Sequence, residues 1–204
     1  MSLNTWVLGV FATAFGLANG VIGPFDALFI QSFVGIQLVE FFLWRAVDAG
    51  ASTRAASLAG LALILAQPAA SALRLTQADQ NPTLGWAIFA AYVAGSAAFM
   101  LVCRATSRLE TTVGESGHLR WWWVSTSPFV LAAWATALIA PMLFMRGGKN
   151  AAGAILGVAT LISSCWFFWR DGTWGSIWCW VANVVSLVII GDVFRRELKA
   201  CVRS

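Results

Sequence analysis

The sequence predicts an all-α, polytopic membrane protein built as a single seven-helix transmembrane bundle, and three observations predict it. Charged residues make up 11% of the 204 and hydrophobic ones 59%, whereas a soluble domain carries about a quarter charged. The mean hydropathy is +0.76. Apolar runs of about 20 residues recur along the chain, the length a helix needs to cross a hydrocarbon core about 30 Å thick. Backbone groups in lipid must pair internally, and the alternating ten-residue strands of a closed barrel are absent, so helices are the spanning solution.

Taken in order, the first run covers residues 6–22 and follows MSLNT. That stretch lacks a basic segment, and no small-residue cleavage site follows the run, so it reads as a retained helix rather than a signal peptide. The second run, 26–47, is joined to the first by GPFD, where Gly23-Pro24 breaks the helix. The third run, 55–75, carries Pro68 and ends in the polar loop TQADQNPT. The fourth covers 84–104. A polar connection, 105–120, follows, too polar to span and too short to be a domain. The fifth run covers 123–145, the sixth 151–169 and the seventh 173–194, before the basic tail RRELKACVRS.

Seven spans put the termini on opposite sides. Six cations then fall on the amino-terminal side (Arg45, Arg54, Arg104, Arg108, Arg120, Arg170) and seven on the other (Arg74, Arg146, Lys149, Arg195, Arg196, Lys199, Arg203). The balance is nearly even, and the cluster in the tail tips the carboxyl terminus towards the cytoplasm. The net charge of +4 comes from short loops and this tail, which argues against nucleic-acid binding. Four cysteines form no CxxC pair and read as small buried hydrophobes. Cys165 and Cys179 fall at similar depth near one face, which leaves a disulfide open.

Two GxxxG patterns, Gly16 to Gly20 and Gly153 to Gly157, let helix backbones approach closely. They fit packing within the bundle, with a homo-oligomer seam as the alternative. Most tryptophans map to the amino-terminal side of the bilayer, with Trp86 alone near the opposite interface. Interfacial anchoring accounts for most of them. Trp166, Trp178 and Trp180 fall one to two turns deeper and are candidates for an aromatic wall around a pigment or lipid.

Polar side chains at membrane depth are costly and tend to serve function. Glu40 is the only carboxylate well inside a run, and Gln37 precedes it by three residues, on the same helical face. Gln67 precedes Pro68, which leaves the carbonyl of Ile64 without its usual donor, one that Gln67 or water can replace. Counting along each span puts Gln37, Gln67 and Asn183 near the midplane, Glu40 about 5 Å to one side and Asn19 a turn away on the other. Turned inward, these helices form one hydrophilic cluster. The same amides can equally serve as hydrogen bonds that hold a bundle together.

Three motifs, Gln37-Leu-Val-Glu40, Ala66-Gln67-Pro68 and the run from Trp174 to Asn183 (WGSIWCWVAN), resemble a family of short seven-helix membrane proteins from algae and the large DNA viruses that infect them. That family is a domain of unknown function. The resemblance implies a seven-helix bundle with Gln37, Glu40, Gln67 and Asn183 among its patterned polar positions, and implies no activity.

Several functions are excluded by residue type. Retinal bound as a Schiff base needs a lysine in a span, and Lys149 and Lys199 lie in a loop and the tail. The single histidine, His118, reads as a solvated loop residue and rules out a histidine-rich metal site. No catalytic triad, P-loop or GxGxxG is present, so the chain does not read as an enzyme. Two functions remain. One is a passive channel or carrier for protons, ions or a small solute, with Glu40, Gln37, Gln67, Asn183 and Asn19 along the path. The other is a pigment- or lipid-binding protein, or a structural subunit of a larger membrane complex. No covalent cofactor is called for, and the bilayer is the expected partner.

Overall fold

The computed structural model describes residues 2–77, 81–106, 109–124, 127–145, 148–178 and 181–203. Its helices are α1 (Ser2–Ala18), α2 (Pro24–Asp48), α3 (Arg54–Arg74), α4 (Pro82–Thr106), α5 (Pro128–Phe144), α6 (Gly148–Phe168), the single turn α7 (Trp174–Trp178) and α8 (Val181–Arg203). Local chemistry sets several ends. The chain leaves α1 through Gly20 at a φ of 62°, which glycine adopts without steric cost. Pro24 opens α2 at its first turn, where no amide is needed, and the Asp26 carboxylate accepts from the Gly23 amide at 3.2 Å. Ser127 caps α5, its hydroxyl accepting from the Phe129 amide at 3.2 Å.

Five helical segments are long and apolar enough to cross a membrane: Pro24–Asp48, Arg54–Arg74, Pro82–Phe99, Ala151–Phe168 and Trp174–Arg196. The apolar helices Leu3–Ala18 and Pro128–Phe144 are shorter. Helix α2 packs against both α1 and α3, α3 against α5, α5 against α6, and α8 returns against α1. Helix α4 rests on α3, with no extensive contact to α5 among the described residues, and is little buried over Pro82–Phe99.

Two segments take on structure beyond the expected spans. The polar connection folds: β1 (Thr111–Val113) pairs antiparallel with β2 (Leu119–Trp121), Thr111 opposite Trp121. The fifth helix therefore starts at Pro128 rather than at 123, because Trp121 and Trp123 belong to the hairpin and its exit. The basic tail is not an appendage but the end of α8, whose helix runs on to Arg203.

The hairpin covers the end of the bundle where α3 and α7 begin. Alternate residues Leu119, Trp121 and Trp123 point inward and are buried, as a period of two requires. Trp121 and Trp123 stack at 5.1 Å. On the outer face the Arg120 guanidinium lies 3.9 Å over the Trp122 ring. Gly60 and Gly175 give the two inner indoles room, since a Cβ at either would lie 2.9 Å from a ring carbon.

Candidate functional site

Helix α3 carries Pro68 in its interior, and the Ile64 carbonyl it frees is satisfied by the Trp134 indole N–H of α5 at 2.9 Å. Gln67 does not fill that role. Helix α5 carries its own proline, Pro141, and the Leu138 carbonyl beside it accepts from the Ser71 hydroxyl of α3 at 2.7 Å. Trp134 of α5 thus supplies the donor that Pro68 withholds from α3, and Ser71 of α3 adds a second bond to the backbone of α5, so that two hydrogen bonds tie α3 to α5.

Above this brace lies a small, partly open crevice lined by Leu61, Ile64, Leu65, Phe99, Val124, Val130, Leu131, Gly175 and five tryptophans. The indoles are Trp121, Trp123, Trp134, Trp174 and Trp178, all buried. Trp178 meets Trp134 edge-on at 5.5 Å and Phe33 at 5.6 Å. Its N–H donates to Thr160 at 3.1 Å. Trp123 donates to Thr111 at 3.1 Å, and Thr111 in turn bonds Ser57 on α3 at 2.8 Å. The Trp121 N–H is buried with no acceptor among the described residues.

The hairpin is bolted over the crevice from the loop between α6 and α7. The Asp171 carboxylate accepts from the amides of Glu115 at 2.8 Å and Ser116 at 3.1 Å, from the Ser116 hydroxyl, and from Thr173 at 3.1 Å. These bonds, the Ser116 hydroxyl foremost, hold its carboxyl down at about 2 from the ordinary 3.8. Gly114 in the turn has no room for a side chain, because a Cβ there would lie 2.6 Å from Asp171.

The proposed polar cluster is partly assembled. Glu40, Gln37 and Gln67 are all buried, at 3%, 2% and 0% exposure. The Ser176 hydroxyl of α7 lies near the Glu40 carboxyl, and Glu40 Oε1 has no partner among the described residues. Gln67 donates to the Ser32 carbonyl at 3.4 Å, and its Oε1 is likewise unpartnered. The antiparallel register of α2 and α3, with Gly35 beside Leu63 and Val39 beside Gly60, therefore sets Gln67 level with Ser32. Glu40 lies eight residues further on, about 12 Å along the axis. Counting from span midpoints assumed a shared centre, whereas side-chain packing between α2 and α3 decides the register. The polar groups form a ladder along α2 rather than a single cluster.

Asn19 is outside this ladder. It is exposed at the end of α1, donating to the Phe15 carbonyl at 2.8 Å, as helix-terminal side chains do. Asn183 is half-buried on α8, and among the described residues no hydrogen bond joins it to Glu40 or Gln67. Arg45 is exposed and pairs with no carboxylate among the described residues. At the far end of α2, Arg74 pairs with Asp26 at 2.6 Å and lies 4.9 Å over the Phe29 ring. Of the proposed aromatic wall, Trp178 lines the crevice, Trp166 projects outward at 82% exposure, and Trp180 lies outside the described residues. Trp121, Trp123, Trp134 and Trp174 complete the wall. The alternation in LRWWW was the signal for the first two, since a strand there turns Trp121 and Trp123 to one face.

Gly16 packs on Ile189 of α8, and Gly153 approaches Met142 of α5, whereas Gly157 faces open space. Cys165 is a free, half-buried thiol; the side chains of Cys103, Cys179 and Cys201 lie outside the described residues. His118 is half-buried with its ring 6.5 Å from that of Phe168.

By length and composition, five helical segments able to span a bilayer make this an integral membrane protein of the all-α class. No known protein family, curated protein or solved structure matches the chain.

Proposed function

We propose that the protein is a seven-span, non-catalytic membrane protein that binds an apolar ligand, a lipid or a pigment, in the tryptophan-walled crevice. The two shorter helices, α1 and α5, count as spans in this reading. Each has 17 residues, about 26 Å of helix and the lower end of what a bilayer accepts. The observation that carries the reading is the crevice itself. Small and partly open, it is walled by five buried indoles, and its concave, apolar and aromatic lining is of the kind that small-molecule sites present. The test is to purify the protein gently, record its absorption spectrum and extract bound lipid. A chromophore or a stoichiometric lipid is expected, and Leu61→Trp, which fills the crevice, is expected to expel it. A protein that carries neither, with Leu61→Trp unchanged from wild type, sinks the proposal.

A second reading rests on a different observation. Two buried acceptors, Glu40 Oε1 and Gln67 Oε1, stand without donors on the ladder along α2, where unsatisfied polar groups are costly. Water along this face would satisfy them and provide a passive path for protons or a small solute, with Glu40 as the group able to take up and release a proton. Flux through reconstituted vesicles is then expected to fall in Glu40→Gln. Equal flux in both proteins removes Glu40 from such a path.

A further inference from the structure

We infer that the occupant of the crevice is the hydrocarbon chain of a bilayer lipid, entering sideways between α4 and α5, with an ester oxygen of that lipid accepting the Trp121 N–H. The inference rests on reading the crevice as a binding site. Its exposure is graded. Leu61, Ile64, Trp134, Trp174 and Trp178 are buried, whereas Leu65, Phe99, Val124, Val130 and Leu131 are partly or well exposed. The exposed rim belongs to α3, α4, the hairpin exit at Val124 and the start of α5, so the opening faces the gap that α4 leaves by resting on α3. The flanking outer surfaces of α4 and α5 are apolar and exposed, with Val93 at 43%, Val130 at 37% and Phe129 at 84%, so the rim continues directly into surface that lipid chains cover.

The aqueous end is shut by contrast. Asp171 ties down the hairpin turn, and Thr53 accepts from the Thr111 amide at 3.0 Å, while Trp121 and Trp123 seal the space beneath. No charged side chain lines the crevice, which suits a neutral occupant. Three lining indoles have their N–H groups committed, to Thr111, the Ile64 carbonyl and Thr160. Trp121 alone among the described lining residues has a buried N–H with no acceptor, and a buried donor left unpaired is costly. An oxygen on the bound chain supplies the acceptor.

The test reads tryptophan emission of the whole protein in phosphatidylcholine vesicles whose acyl chains carry bromine, a contact quencher. Subtracting the signal of Trp174→Phe isolates the deep indole from those facing lipid. Circular dichroism checks that the variant folds, and Trp134→Phe provides the same subtraction if it does not. Brominated chains are expected to quench the Trp174 share, and Leu131→Phe at the rim to reduce that quenching. Quenching of that share by aqueous acrylamide and not by brominated lipid overturns sideways entry while leaving a ligand-binding crevice intact. Quenching by neither overturns both. A brominated alkane of matching length, which has no oxygen, is expected to quench the Trp174 share less than the ester lipid, and equal quenching overturns the contact to Trp121.

Discussion

At the scale of single residues, two hydrogen bonds carry testable weight. Trp134 supplies the donor that Pro68 withholds from the Ile64 carbonyl. Trp134→Phe keeps an aromatic ring and removes the donor, so it is expected to lower stability in detergent by about 1–3 kcal/mol. Replacing Pro68 with alanine in the same background restores the intrahelical amide and is expected to recover part of that loss, which a double-mutant cycle on thermal or denaturant unfolding measures. Asp171 offers a pH readout. Its carboxyl sits at about 2 when folded against 3.8 when free, so the ionised form is the one the hairpin holds. Its contribution is fully present above 3.8 and is lost as pH falls through 2. Hairpin order, followed by tryptophan emission, is expected to decline across that window in wild type. Asp171→Asn is expected to start less ordered and to show less change there.

At the scale of elements, the hairpin is the part whose docking depends on absent side chains. Gly60 on α3 and Gly175 on α7 lie under the Trp123 and Trp121 rings with no room for a Cβ, which would sit 2.9 Å from a ring carbon at either position. Gly60→Ala and Gly175→Ala force the stacked indoles to move, at a cost of about 1–3 kcal/mol. The expected signature is faster amide exchange in β1 and β2 with the exchange of α2 unchanged. Protection equal to wild type in both variants would show that the indoles are not seated as described. The α3–α5 brace differs in kind, because its two bonds end on backbone carbonyls, that of Ile64 freed by Pro68 and that of Leu138.

For the whole molecule, the lipid-facing exterior is as apolar as the core, so burial rather than hydropathy separates the residues that hold the bundle. Leu43 is fully buried and Leu101 is 73% exposed. Leu43→Ala is expected to cost about 2–5 kcal/mol, whereas Leu101→Ala is expected to stay within about 0.5 kcal/mol, both read from equilibrium unfolding in detergent. The same principle explains why α4, apolar enough to span, contributes little to the core: among the described residues it packs mainly on α3.

The sequence alone determined the class, because the lengths of the apolar runs and the scarcity of charge follow from the thickness and polarity of a bilayer. It also marked Glu40, Gln37 and Gln67 as buried, since polar groups in such helices turn away from lipid. Helix register, the folded hairpin and the crevice were decided only in three dimensions. The level of Gln67 relative to Glu40 depends on how Gly35 and Gly60 seat their neighbours on the facing helix. The crevice depends on where five tryptophans from the hairpin exit, α5 and α7 converge, and such convergence between distant segments leaves no periodic trace in any one of them. Trp121 and Trp166 read alike as interfacial or near-interfacial aromatics in the chain, and the tertiary structure sends one inward and the other to the lipid because only one has a strand beneath it and a glycine opposite.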